Sequence, residues 1–465
     1  MKLKHSNSLE LIPFKKNSKK KIFIVAFAII CILTLTSVYL YRTYAVFTEN
    51  KQFNIIRGTV EEPGNLYFNV YVDDTLVDAI PERYQGYTLD LGKSNCNNNV
   101  TLDFNYDTYK LSTNFSNYTL SDSTRSSTKC NLYFTTRNVV NDILASYKEN
   151  ENCPATDETS GDILVSKIEN TNEMLCKAND DYGVSYYYRG TVTNNYVYFK
   201  GLYWRIIRIN GDKSIRLIYD GSKQAYANGV SNADRRLSTT SKYNTASNYT
   251  TYVGYMYGKT TSTTYDEAHT NTNNSTIKTA LDTWFESVFS DSDKKYLSDE
   301  IFCNDRTISS FATTSNNYGY SNKATFYHWA TGPWDTSKNY PNFKCGGREA
   351  DKFTSTEATI GNKLLTHPVG LPTVDELVAA GGYNANNTKF YMYMGATFWT
   401  MTPYRTVVSN GSNSYIKVLN SNGNVTHGVT GAAYAIRPVI NLKASVLTSG
   451  SGTMSDPYRM SGIEL

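Results

Sequence analysis

Beyond its first 41 residues the chain lacks a strong charge of either sign, a second long apolar run and any compact metal or catalytic motif. The basic excess is local. Lys2, Lys4, Lys15, Lys16, Lys19, Lys20 and Lys21 face only Glu10 in residues 1–21, which puts +6 of charge there. The whole chain carries +4, so the remainder stands at −2. A near-neutral body of this kind is not a nucleic-acid-binding surface, and no nucleic-acid partner is expected.

Histidine is scarce, and His5, His269, His328, His367 and His427 are scattered, none beside a cysteine. With no C-x-x-C, a zinc site is disfavoured, and neither a metal nor a cofactor is expected. No H-E-x-x-H or G-x-S-x-G occurs. Gly254-Tyr-Met-Tyr-Gly258-Lys259-Thr260 is one residue short of a phosphate loop and has no strand-then-helix setting, so it reads as a tyrosine-rich loop. No catalytic residue is assigned.

One apolar run is long. Residues 22–41 carry no charge, and 20 residues of helix rise about 30 Å, the thickness of a bilayer core. Lysine lies before it, so the expectation is a single-pass membrane helix. It would have a cytoplasmic tail (1–21), the lipid bilayer as partner and an extracellular C-terminal ectodomain. A cleaved signal peptide is the alternative. Its apolar region is normally shorter, and only Thr43-Tyr-Ala45 resembles a cleavage site.

Of seven cysteines, Cys31 lies in that run. The other six, Cys96, Cys130, Cys153, Cys176, Cys303 and Cys345, form an even set that suggests disulfides. Sequential pairing is the simplest of 15 possibilities, because each pair then falls within one candidate module. Free thiols are the alternative.

Residues 45–136 read as short alternating strands, a small β-sandwich that serves as a stalk or a binding module. Residues 137–180 read as a connector. From 181 to 465, strands run through Tyr196-Val-Tyr-Phe199, Trp204-Arg-Ile-Ile-Arg-Ile209 and Ser214-Ile-Arg-Leu-Ile-Tyr219, with Asn210-Gly211-Asp212 as a tight turn. Residues 221–275 and 304–360 read as long polar loops. Ile277, Leu281, Trp284, Phe285 and Val288 recur at helical spacing behind a Ser275/Thr276 cap. Thr373 and Glu376 have capping-box spacing. Phe398-Trp-Thr-Met401, Tyr415-Ile-Lys-Val-Leu419 and the whole of Ala435 to Leu442 return to strand. The fold class expected is α+β.

Five motifs stand in order: Gly201-Leu-Tyr-Trp204-Arg-Ile-Ile, the helix around Leu281 and Trp284, Leu371-Pro-Thr-Val-Asp375-Glu376, Trp399-Thr-Met-Thr-Pro403, and Ile436-Arg437-Pro438-Val439-Ile-Asn-Leu442. Together they resemble an uncharacterised cell-surface domain of Firmicutes, which is similar to the C-type-lectin-like fold of formylglycine-generating enzymes. The resemblance covers about 186–458, and Trp399-Thr-Met-Thr-Pro403 departs from the family's W-L-R-S-P. It implies a lectin-like domain over 181–465 and a surface location, but no reaction. The related enzymes hold copper with two cysteines near their late motifs, and here Cys303 and Cys345 lie well before them.

Asp375 and Glu376 read as helix-start acids, with a catalytic carboxylate pair as the alternative. Arg437, among apolar neighbours beside Pro438, needs a buried acceptor, and a salt bridge is expected over a ligand contact. Trp204, Trp284 and Trp399 read as core. The positive hint is 39 tyrosines. Tyr249, Tyr255, Tyr257, Tyr318 and Tyr320 lie among Asn, Ser and Thr, a composition that suits adaptable binding loops. AT-rich coding explains it as well. The expected function is non-enzymatic binding or adhesion to an extracellular glycan or protein. An extracellular enzyme acting on cell-wall or glycan material, or a structural envelope component, is the alternative.

Overall fold

The computed structural model describes residues 66–82, 85–97, 100–105, 109–113, 128–165, 173–223, 232–309, 318–330, 340–382, 386–408 and 412–463. They fall into two compact units. One takes Met1–Ile80, Leu91–Leu102 and Thr113–Tyr133, and the other takes Pro81–Asp90, Asp103–Ser112 and Phe134–Leu465.

In the first unit, β1 (Leu66–Val72) and β2 (Thr75–Val77) form a hairpin across Asp73 and Asp74, both at positive φ. β1 also pairs with β7 (Thr128–Thr136), and β4 (Asn95–Cys96) joins β7 so that Cys96 opposes Cys130. Those two cysteines form a disulfide. Val70 and Leu132 are fully buried, as the alternating pattern requires.

In the second unit, β3 (Tyr87–Leu89) pairs with the end of β7 from Phe134 onward. β5 (Leu102–Asn105) and β6 (Lys110–Thr113) pair with each other. α1 (Val139–Ser146) is capped by Asn138, and β8 (Ala155–Thr156) pairs with β9 (Ile163–Leu164).

A larger sheet carries β10 (Met174–Asp180), β11 (Gly183–Arg189), β13 (Leu202–Ile209), β14 (Ile215–Gly221) and β25 (Val439–Leu442) in that order. β12 (Tyr196–Phe199) lies on β13. β14 is buried along its whole length, including Arg216 and Asp220, which are paired with Glu376 and with Arg235 and Arg437. A second sheet orders β15 (Thr240–Lys242), β24 (Ala433–Ala435), β21 (Phe398–Val407), β22 (Asn413–Leu419) and β23 (Val425–Val429), with β19 (Thr325–Phe326) on β21. Two small pairs complete the strands: β16 (Met256–Tyr257) with β17 (Asn273–Asn274), and β18 (Phe302–Cys303) with β20 (Lys352–Phe353).

Among the described residues helices are few and short. α2 (Tyr265–Ala268) is a single turn. α3 (Thr276–Val288) is capped by Ser275 and buries Ile277, Leu281 and Phe285. α4 (Val374–Ala379) opens with the reciprocal Thr373/Glu376 capping box. The α+β class is therefore corrected: strand outweighs helix, 36% to 15%. The stretches that read as polar loops contribute β15, β16, β17, β19 and β20 and buried side chains such as Tyr243, Val253 and Phe353, all at 0% exposure. Over 45–136 the described strands form one five-stranded sheet and the separate β5–β6 pair.

The expected N-terminal membrane helix, and with it the single-pass location, is corrected as well. Among the described residues no helix is long and apolar enough to cross a membrane. Residues 1–21 and 22–41, with Cys31, lie outside the described residues.

Three disulfides are present, Cys96–Cys130, Cys153–Cys176 and Cys303–Cys345, which is the sequential pairing.

Candidate functional site

A cleft of about 320 Å³ opens in the second unit, where four chain segments converge. Three of them bring carboxyl groups, and Asp162 adds another.

The first segment is the β10–β11 turn. Asp180, at the end of β10, accepts the Tyr182 N–H at 2.8 Å through one oxygen and the Gly211 N–H at 3.0 Å through the other. It thereby ties this turn to the β13–β14 turn at Asn210-Gly211-Asp212. The two turns touch so closely that a Cβ on Gly211 would fall 2.4 Å from the Gly183 nitrogen. Asp181 accepts the Cys345 N–H at 2.7 Å and faces Lys352 Nζ at 3.4 Å.

The second segment is the chain around β18. Ser298 donates to Glu300 at 2.9 Å, and Tyr182 accepts the Ile301 N–H at 3.1 Å. Glu300 Oε2 takes no hydrogen bond from any described residue. Burial, then the hydrogen bond and charge of Asp212, raise the Glu300 carboxyl to about 8. Two carboxyl groups that meet out of water hold a proton between them. Asp305 follows Cys303 by two residues and accepts the Thr307 N–H at 2.8 Å.

The third segment runs from His328 and Trp329 to Asn342–Gly346, where the Cys303–Cys345 disulfide brings it against Asp305. A Cβ on Gly346 would lie 3.3 Å from Asp305 Oδ2, so glycine here allows the backbone to approach the acid. The Asn342 side-chain amide donates to Asp162 at 3.0 Å and to the Ser160 carbonyl at 2.9 Å.

The fourth segment is the start of α4, where neighbouring acids diverge. Burial works to raise Glu376, but Arg216 and Arg208 overcome it and hold the carboxyl below its usual range. Arg208 Nη1 lies 2.5 Å away, Arg216 donates as well, and the Thr373 N–H reaches the other oxygen at 3.0 Å. Asp375 has no such cations. Burial raises its carboxyl to about 6, and Asp305 adds to that. The Asn342 N–H, donated at 3.1 Å, and His328 oppose the rise.

Among the residues expected from sequence, Asp375, Glu376, Cys303 and Cys345 line this cleft. The others lie elsewhere. Trp204 is fully buried, donates to the Phe199 carbonyl at 3.2 Å, and packs edge-on against Tyr219 and Trp284. Trp399 is fully buried and donates to the Ser241 carbonyl at 2.8 Å.

Arg437 and Pro438 are not in a strand. They form the link between β24 and β25, which belong to different sheets. Arg437, at 0% exposure, donates to the Tyr219 carbonyl at 3.0 Å, the Met392 carbonyl at 2.7 Å and Asp220 at 2.9 Å. The Pro438 carbonyl accepts the Tyr219 N–H.

Tyr255 is core, and its hydroxyl donates to the Val369 carbonyl at 3.0 Å. Tyr249 and Tyr257 are half-buried and flank Tyr252 edge-to-face. Tyr318 and Tyr320, also half-buried, stand beside Lys323.

Sequence reasoning missed Asp180, Asp181, Glu300, Asp305, His328, Trp329 and Asn342. Two signals pointed to some of them: an Asp-Asp pair at a turn between alternating strands, and acids or glycines within two residues of paired cysteines. Among the described residues no group of His, Cys, Asp or Glu has the geometry to hold a metal ion.

No family model matches the chain, and no curated protein or solved structure matches it.

Proposed function

We propose that the chain is an extracellular, non-enzymatic binding protein whose ligand is a small polar molecule or a glycan terminus seated in the acidic cleft of the second unit. The observation that carries this reading is an imbalance of charge. Arg208 and Arg216 are both spent on Glu376, and Lys352 on Asp181. Asp162, Asp305 and Asp375 line the same cavity without an ion-pair partner among the described residues, against one further cation, Lys344. Convergent polar groups in a walled cavity are what a ligand site offers. The three disulfides favour an oxidising, extracellular setting, as does the resemblance to a cell-surface domain.

The test is a glycan and small-molecule array probed with the full chain and with Gly346→Trp. Gly346 is exposed at the cleft, so an indole there fills the opening without entering the core. Binding by the wild type that Gly346→Trp abolishes at unchanged melting temperature is the expected result. Ligands retained equally by both proteins would move the site elsewhere, and an empty array would end the reading.

One observation favours a hydrolase instead. Asp375 and Glu300 are held in the range where a carboxyl carries a proton near neutral pH, which is how a general acid is prepared. Turnover of chromogenic glycosides or peptidoglycan that Asp375→Asn abolishes would replace binding with catalysis.

A further inference from the structure

We propose that the strand face carrying Arg405, Tyr415 and His427 is a second binding surface, which takes a carboxylate-bearing sugar unit of an acidic glycan. This goes beyond the cleft reading and does not depend on it: of the residues that build the face, only Trp329 also lines the cleft.

The pairing of the second sheet builds the face. Arg405 on β21 lies opposite Tyr415 on β22, and Lys417 on β22 lies opposite His427 on β23. Opposed residues project to one side of a sheet, and Tyr415 and Lys417 are two positions apart, so all four share that side. Tyr404 joins them because a register shift between Pro403 and Arg405 interrupts the alternation. Its ring lies 4.7 Å from that of His427, and the Tyr415 ring is 5.2 Å from the same imidazole. Trp329 stands edge-on to Tyr404 at 5.6 Å. Trp329, Tyr404, Arg405, Tyr415 and His427 are half-buried, so each keeps part of its surface open.

Arg405 is the observation that points to a ligand. Its guanidinium lies 4.9 Å from the Tyr404 ring and 5.6 Å from the Tyr415 ring. Among the described residues no carboxylate comes within ion-pair distance of it, and no acceptor meets its N–H groups. Nε is closed to water, whereas Nη1 and Nη2 remain open to it. The arginines of the larger sheet, Arg189, Arg205, Arg208 and Arg216, each donate to at least one acceptor. An unanswered donor costs stability, and a ligand acceptor removes part of that cost. The flat guanidinium fork matches a carboxylate through two parallel hydrogen bonds.

The surroundings suit an anion on a sugar. Lys417, 3% exposed, sets its ammonium 3.0 Å over the Trp329 ring and 4.1 Å over that of Tyr404. Burial pushes the His427 imidazole down to about 4, and Lys417 and Arg405 push the same way, so at neutral pH it presents an uncharged ring. The aromatic rings favour a sugar over an acidic peptide. A uronate or sialate carries its carboxylate on a pyranose whose C–H groups pack on an aromatic face, so one unit meets both Arg405 and a tyrosine. A glutamate carboxylate ends a flexible chain that has no such face beside it and loses more rotamer freedom on binding.

The experiment is ligand-observed NMR titration of the full chain at pH 7.5. The probes are a galacturonate hexamer against its methyl-esterified form, sialyllactose against lactose, and a hexaglutamate peptide. The proposal expects at least one acidic glycan to bind tenfold or more tightly than its neutral match. The pair that shows the preference identifies the acid as a uronate or a sialate. Arg405→Gln removes the fork, and His427→Glu sets a carboxylate of the chain's own beside Tyr415. Each should weaken that binding tenfold or more while melting like the wild type, and Gly346→Trp, which fills the cleft, should leave it unchanged. Equal binding of acidic and neutral glycans would overturn the proposal, as would no binding at all. Hexaglutamate bound as tightly as the better glycan would replace the sugar with an acidic peptide. Binding that Gly346→Trp abolishes and Arg405→Gln spares would overturn the second surface and return the ligand to the cleft.

Discussion

The second unit contains two kinds of buried acid. Asp220 sits between Arg437 and Arg235, with guanidinium nitrogens at 2.9 and 2.8 Å, and Asp351 receives Arg306 at 2.6 Å. These carboxylates are neutralised by cations of the same chain and lie in the interior. Burial lowers the Arg437 guanidinium, Asp220 works against that, and a guanidinium starts so high that it stays charged. In the cleft the balance is reversed, with more carboxyls than cations and with Asp375 and Glu300 raised. A cluster whose carboxylates are matched by cations of its own chain offers a charged ligand no net attraction, so its value lies in fixing the chain. An unsaturated one carries a standing electrostatic cost, which a ligand can relieve. Adjacent residues show the contrast most sharply: Glu376 is lowered by two arginines, and Asp375 is raised beside it.

The comparison breaks most visibly at Arg437. Removing it takes a donor from the Tyr219 and Met392 carbonyls at the junction between the two sheets and leaves Asp220 with Arg235 alone. Arg437→Ala is expected to cost about 3–5 kcal/mol, the usual penalty for leaving a buried charge without its partner. Arg437→Lys is nearly as harmful, because an ammonium cannot span three separated acceptors as the planar fork does. Thermal melts of the full chain measure both. Melting like the wild type would place Arg437 outside the structural class.

The Cys303–Cys345 bond sharpens the comparison from the other side. Its partners are separated by 42 positions, for which chain-entropy arguments give a stabilisation of about 4 kcal/mol. Cys303→Ser with Cys345→Ser should therefore lower the melting temperature. It should also loosen Asp305 and the Asn342–Gly346 wall of the cleft while leaving the Arg437–Asp220 cluster, built on other elements, intact. Retained ligand binding in the double variant would show that the disulfide does not hold the cleft together.

Local features were legible in the sequence and long-range ones were not. The Asn210-Gly211-Asp212 turn, the Ser275 cap and the Thr373/Glu376 capping box depend on neighbours within four residues, and the structure contains all three. Tyr255 read as a loop residue because Ser, Thr and Asn surround it in sequence, yet its hydroxyl is answered by Val369, 114 residues later. Residues 435–442 read as one strand because their apolar residues are nearly continuous. Proline lacks an N–H for a ladder, and the chain uses Arg437-Pro438 to pass from one sheet to the other. The cleft was the least legible feature. Asp375 looked like a helix-start acid, which it is, and nothing within ten residues reveals that Asn342 meets it or that Asp305 lines the same cleft.

Asp375→Asn carries the smallest expected effect, and its sign is opposite to that at Arg437. The folded-state carboxyl is raised from 3.8 to about 6, so between these values the folded protein binds more protons than the unfolded chain. Stability from this group is fully present below pH 3.8 and is lost as pH rises through about 6. Asparagine keeps the side-chain oxygen that accepts the Asn342 N–H and cannot ionise. The variant should match the wild type near pH 4 and exceed it at pH 8. Each unit of displacement is worth about 1.4 kcal/mol, and the partial exposure of Asp375 trims the gain to about 1–2 kcal/mol. Denaturant melts at the two pH values measure it. If Asp375→Asn is less stable than the wild type at pH 8, the carboxylate has a cationic partner in the folded protein. Asp375 would then belong with Asp220 and Glu376, and the division between saturated and unsaturated acids would fail at the residue on which the cleft depends.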